Sequence, residues 1–247
     1  MRIAFLDNLL DCHANTYTAI WFVCGVLALG VGFWLTTDHT ALDWFYLAVS
    51  ITGLLCVVSL SFRKNIAGNG LGLLATAGET AVQATAGAVG LMLTPLFNFF
   101  SHGYGLYYWA KNSDGDGDMI PKTATRNVWL ITLIFIVVGL SFFPTINRYL
   151  TAQGYGILDP DSTSVLGIPF FWWNVLAFVL AVTAQVTMIL RYAFSWWLWI
   201  VVNIVWLIVN LMTANYIFAI QTMIYQVNAI IGPVSYTHLR AHETSLH

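Results

Sequence analysis

The chain has 247 residues, of which 59% are hydrophobic and only 8% are charged. A soluble domain carries about 25% charged residues, so this composition excludes an ordinary soluble protein and predicts an integral membrane protein. The formal net charge of −2 gives no basic surface for a nucleic acid, and nucleic-acid binding is excluded as well.

Crossing ~30 Å of hydrocarbon takes about 20 apolar residues in a helix. The sequence contains eight such segments, which predicts an all-α protein with eight transmembrane helices. They are 18–35, 41–62, 66–85, 88–109, 128–143, 165–190, 196–212 and 214–231. The third segment is rich in Gly, Ala and Thr, and small residues let helix backbones approach closely, so we expect it to be an interior helix.

The basic residues predict an orientation, because short cytoplasmic loops collect Lys and Arg. With the N-terminus inside, eight spans place Arg148 outside. The same arrangement places these basic residues on the cytoplasmic side: Arg2, Arg63, Lys64, Lys111, Lys122, Arg126 and Arg191. We therefore predict a multi-pass protein with both termini in the cytoplasm.

The order of the segments predicts an internal repeat. Spans two to four and six to eight form two three-helix units, the fifth span joins them, and the first is an extra helix. Units that enter the membrane from the same side are parallel repeats, as in the SWEET sugar transporters. The corresponding regions are 1–40, 41–110 (first unit), 111–164 (cytoplasmic loop, linker helix and external loop), 165–233 (second unit) and 234–247.

Two polar segments are set apart from the fold. Residues 234–247 carry three of the six histidines and no apolar run, so we interpret them as a cloning or sequencing scar. His238, His242 and His247 are therefore given no metal. In the loop 111–126, three aspartates imitate the start of a calcium loop, but the glycine and the final acid that such a loop needs are absent. We expect no metal site and no cofactor.

The seventh span carries a stripe of polar and aromatic side chains. Its members are Trp196, Trp199, Asn203, Trp206 and Asn210, whose spacing places them on one helix face. Two indoles beside an amide predict a slot for a planar heteroaromatic ring, preferably a cationic one, because indole faces are electron-rich. The alternative is a packed helix interface with an interhelical hydrogen bond. Trp197 points elsewhere and is typical of an aromatic belt.

Other spans contribute neutral polar side chains that hydrogen-bond a sugar. The candidates are Gln83, Asn98, Tyr104, Tyr108, Gln185, Asn215, Gln221 and Tyr225. Glu79 either neutralises a cationic substrate or lies near the outer mouth. No other carboxylate lies inside a span away from its ends, which argues against ion coupling. The sequence has no HExxH motif, phosphate loop or dinucleotide fingerprint, so we expect no enzyme.

Two motifs resemble those of the PnuC-type vitamin transporters. "WWLWIVVN" fits the pattern WxxWxxxN at Trp196, Trp199 and Asn203, and "GYGLYYWAK" at 103–111 is similar to the end of that family's first repeat. The similarity covers residues 38–232, and the layout of one, three, one and three helices also matches. After Gly232 the sequence departs from the family pattern, which leaves the end of the eighth span open.

The resemblance implies uptake of nicotinamide riboside by facilitated diffusion, with cytosolic phosphorylation trapping the product. It places the protein in the bacterial inner membrane as a homo-oligomer, with a trimer as one form. The pyridinium ring would then lie between Trp196 and Trp199. Relatives that carry thiamine, riboflavin or deoxynucleosides keep those cargoes open, and a non-transporting membrane scaffold is the alternative from another class.

Overall fold

The computed structural model describes residues 14–36, 38–61, 65–85, 87–111, 122–155, 164–190 and 192–244. Within these residues the chain forms eight α-helices and one short two-stranded hairpin. The helices are α1 Ala14–Thr36, α2 Ala41–Ser61, α3 Asn65–Thr85, α4 Val89–Lys111, α5 Arg126–Leu150, α6 Phe170–Ile189, α7 Ser195–Met212 and α8 Tyr216–Thr244. The predicted all-α class is confirmed, and each predicted span corresponds to one helix.

Three boundaries differ from the predicted ones. Helix α5 continues through Pro144 to Leu150, because a transmembrane helix tolerates proline when its neighbours satisfy the backbone. A further turn, Thr151–Tyr155, follows it and is interrupted by Gly154, whose φ is 90°. Helix α6 starts at Phe170 rather than at 165. Helix α8 runs on to Thr244, so the tail that we excluded from the fold is helical as far as that residue.

A hairpin precedes α6 and explains its late start. Strand β1 (Ser164–Val165) pairs antiparallel with β2 (Ile168–Pro169). Leu166 and Gly167 join them with φ values of 55° and 73°, and two successive positive φ values are what a two-residue hairpin turn requires. The side chain of Trp173 then anchors the hairpin to α6, since its Nε1 donates to the carbonyl of Val165 at 3.2 Å.

Among the described helices, α1, α2, α5, α6 and α7 are long and apolar enough to cross a membrane. Helix α6 is the most buried of these five, and α5 exposes most of its side chains. Helices α3, α4 and α8 are more polar, and each packs against at least two other helices. Helix α3 thus lies between two other helices, as predicted, whereas α4 and α8 also have exposed apolar side chains such as Phe100 and Met223.

The helices pack as two groups that meet along two seams. Helix α3 packs between α2 and α4, and α7 packs between α6 and α8. The groups touch where α4 contacts α6 and where α2 contacts α8. Helix α1 lies on α2 and α8, while α5 lies on α6. The two groups thus touch through their first and third helices.

Apolar clusters hold this arrangement on both sides. One cluster joins α1, α2, α3 and α8 around the buried Leu29, Leu54 and Val82. Another joins α4, α6 and α7 around the buried Leu91 and Val209. In a lipid bilayer the hydrophobic effect does not drive helices together. Side-chain packing and interhelical hydrogen bonds stabilise their association instead.

Hydrogen bonds tie the two seams. The backbone amide of Leu91 in α4 donates to Asn174 Oδ1 in α6 at 3.0 Å. Gly90 lets the backbones approach here, because a Cβ at this position would lie 2.5 Å from the same Oδ1 atom. At the other seam, Ser50 Oγ in α2 donates to Gln221 Oε1 in α8 at 2.9 Å. The relative positions of α4, α6, α2 and α8 are therefore fixed.

Candidate functional site

A cavity of about 90 Å³ lies between helices α3, α4, α7 and α8. It is lined by Glu79, Gln83, Thr94, Pro95, Asn98, Trp199, Asn203, Trp206, Asn210, Phe218, Gln221, Thr222 and Tyr225. Helices of both groups contribute to its wall. The cavity therefore lies where the two groups face each other.

Helix α7 contributes a continuous stripe to the wall. Trp199, Asn203, Trp206 and Asn210 all line the cavity, and their spacing of four, three and four residues keeps them on one face. Asn203 is the ninth of the 18 residues of α7, so it lies ~12 Å along the helix from the first residue. Trp197 points away, as predicted, and its side chain is 62% exposed.

A hydrogen-bond network fixes the opposite wall. Gln221 Nε2 donates to Glu79 Oε1 at 3.0 Å and to the hydroxyl of Tyr225 at 2.9 Å. Its Oε1 accepts from Ser50. Gly53 makes room for the network, because a Cβ there would lie 2.5 Å from the Tyr225 hydroxyl and 3.0 Å from Gln221 Nε2. The carboxyl group of Glu79 is thus held at the cavity in a defined position.

Several polar atoms of the cavity-lining residues have no partner within the described part of the chain. They are Gln83 Oε1, Asn98 Oδ1, Trp199 Nε1 and Asn210 Oδ1, and all four are buried. Nearly all buried polar groups in native structures are hydrogen-bonded, because leaving one unsatisfied costs about 1–3 kcal/mol. Three acceptors and one donor are therefore available to a bound molecule, and hydroxyl and amide groups would satisfy them.

The only ionisable charge that the described lining residues bring to the cavity is negative. Glu79 is the acidic member of its lining, and none of the described lining residues is basic. Two indoles, Trp199 and Trp206, lie on the α7 side. A carboxylate and electron-rich ring faces both attract a cation. No group of three His, Cys, Asp or Glu side chains in the described ranges is placed to hold a metal ion.

Six of the side chains that we predicted from the sequence meet in this cavity. They are Gln83, Asn98, Trp199, Asn203, Gln221 and Tyr225. Trp206 and Asn210, the other members of the predicted α7 stripe in the wall, also line it. The sequence did not point to four further lining residues, Thr94, Pro95, Phe218 and Thr222. The helical spacing from Asn203 gave a signal for Trp206 and Asn210. The sequence contains no signal for the other four residues, because whether they face the cavity depends on how α4 and α8 are rotated in the bundle.

The remaining candidates lie elsewhere. Trp196 is outside the lining, so the cavity's two indoles are those of Trp199 and Trp206 rather than Trp196 and Trp199. Tyr104 and Tyr108 stack on each other near the end of α4, with ring centroids 6.3 Å apart, and both are exposed. Asn215 caps the start of α8, where its Oδ1 accepts from the amide of Phe218 at 3.4 Å. Gln185 lies on α6, which does not contribute to the wall.

Apolar helices around a polar, partly unsatisfied cavity at mid-helix depth define an integral membrane protein of the transporter class. The family model described as nicotinamide mononucleotide transporter matches residues 43–238, and the chain belongs to this family.

Relatives and a solved structure agree with this membership. The nicotinamide riboside transporter PnuC of Haemophilus influenzae is 27% identical over 227 residues, which cover 90% of each chain. The PnuC of Neisseria mucosa is 26% identical over 251 residues and covers 97% of this chain and 88% of the relative. A crystal structure of the vitamin B3 transporter PnuC superposes with a TM-score of 0.67 at 24% identity, covering 97% of this chain and 98% of that one. The fold is therefore shared over nearly the whole length.

Proposed function

We propose that the chain carries nicotinamide riboside across the bacterial inner membrane by facilitated diffusion. The observation that carries the proposal is the set of four unpartnered polar atoms in a cavity that also presents two indoles and one carboxyl group. The names of the relatives in Haemophilus influenzae and Neisseria mucosa support the same cargo.

The riboside matches the cavity group by group. Its planar pyridinium ring packs against the indoles of Trp199 and Trp206, which favour a cation. The positive charge faces Glu79. The ribose hydroxyls donate to the amide oxygens of Gln83, Asn98 and Asn210, which lack partners within the described residues. Trp199 Nε1 is left as a donor for a ligand oxygen that lies beyond the edge of its indole.

The unphosphorylated riboside fits better than the mononucleotide named in the family description. A phosphate in a site of low dielectric needs Arg, Lys or a cluster of amide donors. The described lining contains no basic side chain and already holds the carboxyl group of Glu79. Phosphorylation in the cytosol therefore produces a molecule that the cavity rejects, and it traps the cargo inside.

For the transport cycle, we propose that α2–α4 and α6–α8 are parallel repeats that rock about the cavity, in a 3+1+3 arrangement with α1 as the extra helix. The packing supports this pairing, since the third helix of each group contacts the first helix of the other. The middle helices α3 and α7 both line the cavity. The proposal includes units at 41–110 and 165–233, cytoplasmic termini and a homo-oligomer such as a trimer.

The test is equilibrium binding to the purified protein in detergent, followed by tryptophan fluorescence. We expect nicotinamide riboside to bind saturably and Asn203→Leu to weaken binding by roughly tenfold or more, since it removes an amide from the cavity at similar volume. Gln185→Leu is the matched control, because this amide lies outside the lining. In liposomes held at zero membrane potential, net uptake of the riboside should stop when its inside and outside concentrations are equal. A proton gradient should not change this end point if transport is facilitated diffusion.

Other outcomes would assign the chain differently. Thiamine is the second candidate, because its thiazolium ring is also a planar cation that Glu79 would favour, whereas riboflavin and thymidine are uncharged. Binding of thiamine alone would keep the carrier and change its cargo. The same assay is run with nicotinamide riboside, thiamine, riboflavin and thymidine. If none of these four compounds binds and Asn203→Leu only lowers the unfolding midpoint, the stripe on α7 is a helix interface and the scaffold alternative holds.

A further inference from the structure

A second cavity, of about 230 Å³, lies at the end of the bundle where α4 and α6 begin and α5 ends. Its lining shares no residue with that of the central cavity. The charge distribution predicts that this end faces outward. The cavity therefore lies at the predicted outer ends of three helices and is separate from the central cavity.

Two side chains from the last turn of α5 supply hydrogen-bond donors. The guanidinium of Arg148 lies 5.1 Å from the ring centroid of Phe171, and both residues line the cavity. Asn147 is only 2% exposed, and its Nδ2 has no hydrogen-bond partner in the described part of the chain. Its Oδ1 accepts from Thr151 Oγ at 3.4 Å, which orients the amide. A buried donor is thus left for a ligand.

The helix starts add positive potential. The first residues of α4 and of α6 line the cavity, and a helix N-terminus carries roughly half a positive charge. Helix α6 starts after Pro169, which gives its first-turn amides no side-chain cap. None of the described lining residues is acidic. The guanidinium, the amide and the two helix ends therefore all favour the same kind of ligand, an oxyanion.

We propose that this cavity binds a phosphate group. Arg148 pairs with its oxygens, Asn147 Nδ2 donates to it, and the first turn of α6 completes the site. The phosphate comes either from a lipid headgroup at the membrane surface or from a free phosphate in solution. Because the first residues of α4 line the same cavity and belong to the other helix group, the bound anion lies at the boundary between the two groups.

The experiment measures the thermal unfolding midpoint of the purified full-length protein in a non-ionic detergent without phosphate. The protein is titrated with two phosphate compounds, sodium phosphate and dihexanoyl phosphatidylglycerol, the second below its critical micelle concentration. Sodium chloride at matched ionic strength is the control. A ligand that binds only the folded state raises the midpoint saturably. We expect such a rise with at least one of the two phosphate compounds and none with chloride.

The variants decide whether the described residues form the site. Arg148→Gln should abolish the rise, and Asn147→Leu, which keeps every charge, should weaken the apparent affinity by about tenfold. Arg126→Gln, at the other end of α5, is the matched control and should respond like the wild type. Nicotinamide riboside binding to each variant reports correct folding.

The outcomes separate the two sources and can overturn the site. Saturation by phosphatidylglycerol at a concentration at least tenfold lower than that of inorganic phosphate identifies a lipid site, and the reverse identifies a free anion. The proposal is overturned if neither compound raises the wild-type midpoint, or if Asn147→Leu and Arg148→Gln respond like Arg126→Gln. Should Arg148→Gln fail to fold, Asn147→Leu alone decides.

Discussion

At the scale of single residues, the amide of Gln221 positions the charged group of the central cavity. It makes three hydrogen bonds, to Ser50 in α2, Glu79 in α3 and Tyr225 in α8. A primary amide can make about four, so this side chain has little freedom to rotate. The Glu79 carboxyl is thus preorganised and needs no rearrangement when a cation enters.

Glu79→Gln tests the role of this charge. The variant keeps the volume and removes the carboxylate, so we expect the affinity for nicotinamide riboside to fall about tenfold, as for other lost hydrogen bonds to charged groups. The reduced riboside, whose dihydropyridine ring is uncharged, should bind wild type and variant about equally. Isothermal titration of both compounds measures the two changes. Equal losses for both would show that Glu79 acts through shape and not through charge.

Gly53→Ala tests the room for the network. The added methyl group would lie 2.5 Å from the Tyr225 hydroxyl, so Tyr225 or Gln221 must move. Overpacking of this kind costs about 1–3 kcal/mol, and we expect a lower unfolding midpoint together with weaker riboside binding. Gly70→Ala in α3 is the control, because no atom lies within 4 Å of the place that its added methyl group would take. A Gly53→Ala variant that binds like the wild type would contradict this account.

The sequence could predict which side chains share a face where the period of a single helix decides it. The period of α7 correctly placed Trp199 and Asn203 on one face, with Trp197 on another. It did not decide between Trp196 and Trp206, since both share that face with Asn203. Which end of the stripe meets the cavity depends on the heights of α4 and α8 in the bundle, and these heights are set by tertiary packing.

At the scale of elements, α7 serves three environments at once. Its stripe lines the cavity, Val202, Val205 and Val209 are buried in apolar clusters, and Trp197 is exposed. A helix with three such faces has no lipid-facing polar residue to satisfy. This division is why aromatic residues on the same helix have different roles.

The division predicts opposite results for two tryptophans of α7. Trp206→Ala removes an indole from the cavity and should weaken riboside binding by about tenfold or more, since stacking on an aromatic side chain is worth about 1–3 kcal/mol per base. Trp197→Ala should leave the affinity within about twofold, because that side chain is 62% exposed. Fluorescence titration of both variants compares them directly. Similar losses would mean that the cavity is not the binding site.

Helix α3 shows what composition alone could establish. Its small residues predicted an interior helix, and α3 does pack between α2 and α4. A Cβ at Gly78 would collide with Val49 of α2, and a Cβ at Gly72 would lie 2.5 Å from the His102 ring of α4. The hairpin before α6 was not predicted, because composition gives no sign of it. Its turn at Leu166 and Gly167 lies within an apolar stretch and depends on backbone angles rather than on hydrophobic period.

At the scale of the whole molecule, the orientation that the basic residues predict can be tested on α5. This helix has 25 residues and is ~37 Å long, so its ends lie on opposite sides of ~30 Å of hydrocarbon. In a variant whose native cysteines are replaced, Tyr155→Cys should react with a membrane-impermeant maleimide in intact spheroplasts. Asn127→Cys should react only after permeabilisation. The reverse pattern would place the termini outside.

The bond between the Leu91 amide and Asn174 Oδ1 sets a condition on any motion of the bundle. It crosses from one helix group to the other, and both residues are buried at one end of the seam. Separating the groups there would leave a backbone donor unsatisfied at a cost of about 1–3 kcal/mol. Rotation about this contact keeps the bond. A conformational cycle that keeps this bond would turn about the α4–α6 seam. At the seam between α2 and α8, the same cycle must give the bonds from Ser50 to Gln221 and from Gln221 to Glu79 new partners, which the bound cargo can supply.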